Sequence, residues 1–179
     1  MAPFATPWPV ARTVTTSERD GTALTFEDFF TAEHDRLYRA LCLVTRNRHE
    51  AEEIMQDAFL SLWARWDRVA ADVEDPVAYL YRSAMNAFRR RHRRAVLAAR
   101  KAVRLVPPDD GIRRVEDQEE IVRALATLSP RQRAAIVLTN LLDFTAEESG
   151  RFLGLSAGAV RTLASRGRAG LRRRAGEDG

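Results

Sequence analysis

The sequence predicts an all-α protein of two small helical domains joined by a linker. Apolar residues recur at steps of three and four in every long segment, and helix-start signals are spaced along the chain. No segment alternates apolar and polar residues as a half-buried strand does. A Pro/Asp/Gly stretch, Pro107-Pro108-Asp109-Asp110-Gly111, falls between two such helical runs.

Residues 1–24 carry Pro3, Pro7 and Pro9 with a Ser/Thr-rich stretch and no sustained periodicity, which reads as a mobile tail. Thr25 is a plausible N-cap, followed by acidic Glu27 and Asp28. Phe26, Phe29, Phe30, Leu37, Tyr38, Leu41 and Cys42 then stripe a first helix. After Asn47, a second stripe runs through Ala51, Ile54, Met55, Ala58, Phe59, Leu62, Trp63 and Trp66. Residues 67–75 read as a polar loop. Asp75-Pro76 caps a third helix whose stripe is Val77, Leu80, Tyr81, Ala84, Met85 and Phe88. These helices predict a bundle over residues 25–95, a linker over 96–115 whose first residues could prolong the third helix, and a second unit over 116–174 with a short tail over 175–179.

In the second unit, Leu125 and Leu128 close one helix and Ser129-Pro130-Arg131-Gln132 is a capping box that opens the next, which carries Ile136, Val137, Leu141 and Leu142. Thr145 to Glu148 is another capping box, and its helix stops at Gly154. Ser156 caps a last helix running toward Arg174.

Composition bounds the chemistry. The 179 residues are 45% hydrophobic, enough for one large or two small cores, and the net charge is +4. Of the 29 basic residues all but Lys101 are arginine. Arginine favours bidentate contacts to phosphate and guanine, although a GC-rich coding sequence yields the same bias. The single Cys42 supports neither a disulfide framework nor a cysteine metal site. No apolar run is long enough for a bilayer, and the start lacks the layout of a secretion signal, so a soluble cytoplasmic protein is expected. His34, His49 and His92 are scattered. There are no carboxylates paired in a shared apolar setting and no phosphate-binding glycine loop, so no enzyme, cofactor or metal is expected.

Two constellations remain. In the last helix Val160, Leu163, Gly167 and Leu171 share one face, while Arg161, Thr162, Ser165, Arg168 and Arg172 point away. Six arginines and no acid lie between 161 and 174. A short helix, a tight turn and a basic second helix match the geometry that reads a DNA major groove. On the third helix, Tyr79, Tyr81, Arg82, Asn86, Arg89, Arg90 and Arg93 mix rings, an amide and guanidiniums, which suits single-stranded DNA. Taken alone, these residues read more readily as partly buried core tyrosines and a solvated, dipole-favoured helix end.

The strings AEEIMQDAFLSLW (51–63), DPVAYLYRSAMNAFRRRHRR (75–94), LSPRQRAAIVL (128–138) and LGLSAGAVRTL (153–163) resemble the extracytoplasmic-function (ECF) group of bacterial RNA polymerase sigma factors, in that group's order. The resemblance covers Thr25 to Arg174. It implies a sigma domain 2-like bundle and a sigma domain 4-like helix-turn-helix in a transcription initiation factor that binds core RNA polymerase and promoter DNA. Glu52, Glu53, Gln56 and Asp57 match the segment that grips the clamp helices of the polymerase largest subunit. The loop from Asp67 to Asp75 stands where a flipped base is captured. Tyr79, Arg82 and Asn86, with Arg89, Arg90 and Arg93 after them, match the surface that contacts and opens the minus 10 element. Arg161, Thr162, Ser165 and Arg166, with Arg168 on the same outward face, correspond to the minus 35 reading set. An anti-sigma protein is a further implied partner; neither membrane insertion nor a small-molecule substrate is.

The chain departs from the group's pattern at Ser149-Gly150, where a large aliphatic residue and alanine are usual. It departs again at Leu163-Ala164, where the apolar position is displaced by one and the rotation of the recognition helix is left open. Two other readings use the same features: a stand-alone helix-turn-helix regulator binding a palindromic operator, and a polymerase-binding adaptor without promoter melting.

Overall fold

Every capping signal described above lies at a helix start in the computed structural model, which describes residues 24–69, 75–101 and 119–177. Thr25 Oγ accepts the Asp28 N–H at 3.2 Å and opens helix α1 (Phe26–Thr45). Asn47 accepts the Glu50 N–H at 3.0 Å and opens α2 (Arg48–Trp63). A one-turn helix, α3 (Trp66–Arg68), occupies the start of the segment expected to be loop; Trp66 anchors it by packing its ring 5.3 and 5.4 Å from those of Phe26 and Phe29. Asp75 Oδ1 accepts the Val77 N–H at 2.9 Å ahead of α4 (Pro76–Lys101), which continues six residues beyond the predicted bundle boundary. The N-terminal tail, the rest of the 67–75 loop and most of the 96–115 linker lie outside the described residues.

In the second unit α5 (Glu119–Ala126) leads to α6 (Pro130–Ile136), whose Ser129–Gln132 box makes both reciprocal bonds. The chain then passes through a π-helical turn, Val137–Leu141, in which the Leu142 N–H donates to the Val137 carbonyl at 3.0 Å. The Thr145–Glu148 box opens α7 (Ala146–Leu153). Gly154 ends it in the left-handed region at φ 63°, and α8 (Ala157–Glu177) follows with Ser156 accepting the Ala159 N–H.

α1, α2 and α4 bury their stripes against one another: Phe29, Leu37 and Leu41 from α1, Ile54 and Leu62 from α2, Leu80, Tyr81 and Met85 from α4. α6, α7 and α8 close a second core around Leu138, Leu142, Phe152 and Val160. Three stripe assignments need correction, the first being Phe30 of α1, which is 38% exposed. Trp63, placed on the apolar stripe of α2, is 55% exposed, with one ring edge on Phe26 at 4.7 Å. In α8 the inward residue is Ala164 rather than Leu163, which is half-buried. Gly167 completes that face, since a Cβ there would meet Ile136 Cδ1 at 2.5 Å. The small pair Ala164 and Gly167 lets α8 lie close to α6, and that proximity sets the helix rotation left open by the sequence.

The departure at Ser149-Gly150 has a similar cause. A Cβ on Gly150 would meet the Leu155 carbonyl at 2.7 Å, so the tight turn after α7 requires glycine at that position. Ser149 beside it is fully buried, and its hydroxyl has no hydrogen-bond partner among the described residues.

The two units pack on each other. Arg36 of α1 donates to the Leu142 carbonyl at 3.0 Å, and Arg133 of α6 donates through Nε to the Val44 carbonyl at 2.9 Å. Val44 lies in the last turn of α1, where carbonyls lack helical partners and the dipole is negative, so a guanidinium suits the position. Burial, with Arg46 nearby, lowers the Arg133 pKa to about 10.

Candidate nucleic-acid interface

The outward face of α8 presents Arg161, Thr162, Ser165, Arg166 and Arg168, all exposed. Val160 and Ala164 fix the helix from behind, so these side chains project from a rigid element seated on α6 and α7. Arg161 donates to Glu147 of α7 at 3.0 Å, an exposed pair of small energetic value that a phosphate or base can displace. Glu147's own main-chain N–H, together with Arg161, holds its carboxyl below the usual carboxylate range. Arg168 reaches Asn140 at 3.4 Å, and the Thr162 hydroxyl donates back to the Gly158 carbonyl at 2.9 Å. The whole predicted minus 35 set therefore shares one surface.

The α4 set is less uniform. Arg90 and Arg93 are exposed at the basic end of the helix. Asn86 accepts from Arg89 at 3.2 Å, and the Arg82 guanidinium lies over the Tyr79 ring at 5.4 Å. Tyr79, however, is only 6% exposed, and its hydroxyl pairs with Ser61 of α2 at 3.1 Å. Tyr81 is fully buried. Neither ring is an open stacking platform in this conformation, because Tyr79 is turned against Ser61 of α2 and Tyr81 against Glu33 of α1 and the Phe144 and Phe152 rings of the second unit. The arginines and Asn86 carry the accessible part of this surface.

The acidic positions of α2 divide in two. Glu52 and Gln56 face solvent, whereas Glu53 and Asp57 are both held by Arg91 of α4, the latter at 3.3 Å. Hydrogen bonding to Arg91 lowers the Glu53 pKa, and His49 adds a contact at 3.4 Å. The sequence reading missed Leu60, which is 66% exposed and lies one and two turns beyond Gln56 and Glu52. With Trp63 it extends the face Glu52–Gln56–Leu60–Trp63 into an apolar patch. Large apolar side chains grouped on one exposed helix face mark an interaction surface. Leu60 falls out of phase with the buried stripe, and that was the available signal.

Among the described residues no group of three or more His, Cys, Asp or Glu side chains is placed to hold a metal ion. No helix among them is long and apolar enough to cross a membrane.

A helical bundle with an arginine-rich α4, joined to a helix-turn-helix with an exposed basic second helix, defines a DNA-binding protein with two separate basic surfaces. Residues 29–97 match Sigma-70 region 2 and residues 118–171 match Sigma-70, region 4. The chain is 34% identical over 166 residues to the RNA polymerase sigma factor CarQ of Myxococcus xanthus, covering 89% of this chain and 94% of that one. It is 30% identical over 159 residues to the ECF RNA polymerase sigma factor SigM of Mycobacterium tuberculosis, covering 86% and 78%. Among solved structures, the sigma factor RpoE of Bartonella quintana, crystallised with the anti-sigma factor NepR, shares the fold with a TM-score of 0.63 at 23% identity, over 83% of this chain and 94% of that one. The chain belongs to the ECF family of RNA polymerase sigma factors.

Proposed function

We propose that this protein is a dissociable initiation factor that binds core RNA polymerase and directs it to promoters, acting as a specificity subunit and not as a catalyst. The observation that carries this reading is the presence, in one chain and in family order, of a region 2 bundle and a region 4 helix-turn-helix, each with an exposed basic surface. In this reading α8 reads the minus 35 duplex through Arg161, Thr162, Ser165, Arg166 and Arg168. Arg82, Asn86, Arg89, Arg90 and Arg93 of α4 engage and open the minus 10 element, and Tyr79 joins them only if its ring is uncovered. Opening without ATP is physically reasonable, because unstacking a base costs a few kcal/mol, which pocket and phosphate contacts can offset.

Glu52, Gln56, Leu60 and Trp63 form the docking stripe for polymerase, while Glu53 and Asp57 support it through Arg91. The factor works in the cytoplasm and is held in check by an anti-sigma protein; the co-crystallised pairing of its structural neighbour supports that partner class. The test is a reconstitution of purified protein with core polymerase and supercoiled candidate promoters. Specific transcripts are expected, and a protein that footprints DNA alone without yielding a transcript contradicts the reading.

A further inference from the structure

The outward face of α8 carries six arginines and no acid between 161 and 174, yet a carboxylate from another helix reaches it. Glu147 stands in the first turn of α7, and its Oε1 accepts a hydrogen bond from Arg161 Nη1 at 3.0 Å across fourteen positions of sequence. Each of the two side chains is 63% exposed. Capping α7 is the work of the next residue, Glu148, which accepts from both the N–H and the hydroxyl of Thr145 at 2.8 Å. The Glu147 side chain is therefore directed at α8 and not at the end of its own helix. Beside the pair, Gly158 is exposed one turn ahead of Arg161 and Thr162. Beyond its own helix backbone, a Cβ there would meet only Ser156 Oγ among the described residues, at 4.0 Å. An outside group has room to approach α8 closely at that turn.

We propose that Glu147 is the positioning residue that makes Arg161 a base reader: paired with the guanidinium, its carboxylate disfavours a backbone phosphate and leaves the remaining donors to a guanine edge. The proposal rests on the assignment of α8 to the minus 35 duplex.

A guanidinium has five N–H donors, and Glu147 takes one. Guanine presents two neutral acceptors, O6 and N7, which arginine meets with two donors, so guanine is bound with the pair intact. A phosphate brings a full negative charge up to the Glu147 carboxylate, and that repulsion grows as the groove excludes water. Without the carboxylate, Arg161 gains from any phosphate, which adds affinity without sequence preference. Discrimination here comes from penalising the wrong contact. An exposed pair of this kind contributes little to folding, so its removal leaves the helix-turn-helix in place.

The test uses the full chain and a pool of labelled duplexes randomised over a short central segment, from which the bound fraction is sequenced. Wild-type protein should select guanine at a position where Arg161→Ala loses that preference. Glu147→Gln, which keeps an acceptor and removes the charge, should weaken the guanine preference at that same position by about fivefold or more and keep the others. On a scrambled duplex it should bind more tightly, with a salt slope steeper by about 0.9, as expected for one more neutralised phosphate. Added to Arg161→Ala, Glu147→Gln should change no base preference.

An equal gain on every duplex, with all base preferences kept, overturns the proposal, since Glu147 is then only a like charge near DNA. Unchanged selection with an unchanged salt slope overturns it as well. If no selected guanine depends on Arg161, the assignment of Arg161 to the minus 35 bases has itself failed, and the proposal with it.

Discussion

The Tyr81 hydroxyl donates to the Glu33 carboxylate across 3.3 Å, joining α4 to α1 at the point where the second unit docks. Desolvation raises the Glu33 pKa above its ordinary 4.5, with Arg36 and the Tyr81 bond opposing the shift. Burial also pushes the Tyr81 phenol well above its ordinary value, so it remains a donor at neutral pH.

A raised folded-state pKa means that the native protein binds the proton more tightly than the unfolded chain. The stability this group contributes is therefore fully present below 4.5 and is lost as pH rises through the folded value. Glu33→Gln should flatten the pH dependence of urea stability across that window and leave stability at pH 7 unchanged or higher. A steeper dependence in the variant would contradict the assignment.

Ser149 and Gly150 should respond in opposite directions. Ser149→Ala removes a buried hydroxyl that has no partner among the described residues and should stabilise the protein by about 1 kcal/mol. Gly150→Ala drives a methyl toward the Leu155 carbonyl and should cost about 1–3 kcal/mol. Urea denaturation of the two variants measures both signs.

The capping residues and most of the apolar stripes were legible because they are local. An N-cap and the N–H it accepts lie within one turn, and a helix period shows in a dozen residues. The exposure of Trp63 was not legible, since it depends on where a neighbouring helix crosses, whereas core burial of the α4 tyrosines was one of the two readings the sequence offered. The choice between Leu163 and Ala164 required the distance from α8 to Ile136 of α6, a contact between helices that the period of α8 alone does not encode. The ties made by Arg36 and Arg133 were not legible either. Their acceptors, Leu142 and Val44, are main-chain carbonyls 106 and 89 positions away, which no side-chain pattern reveals.

Leu60 should matter to polymerase binding and little to folding. Leu60→Ser with Gln56→Ala is expected to weaken binding to core polymerase by about tenfold or more, about 1.4 kcal/mol, with the thermal midpoint unchanged. Equal affinity in a direct binding titration would remove α2 from the docking surface.

Arg161 should read a base and not only a phosphate. Arg161→Ala is expected to lose about 1–3 kcal/mol on the cognate minus 35 duplex and much less on scrambled duplexes. A uniform loss across sequences, with a shallower salt dependence, would demote it to a phosphate contact.

The central claim is that α4 opens the promoter while α8 holds it. Permanganate reactivity of minus 10 thymines, measured on complexes of core polymerase with wild-type protein or with the Arg82→Ala, Asn86→Ala variant, tests it most directly. Strong reactivity with wild type, and its loss in the variant while duplex binding persists, is the predicted result. Equal reactivity in both complexes would contradict it.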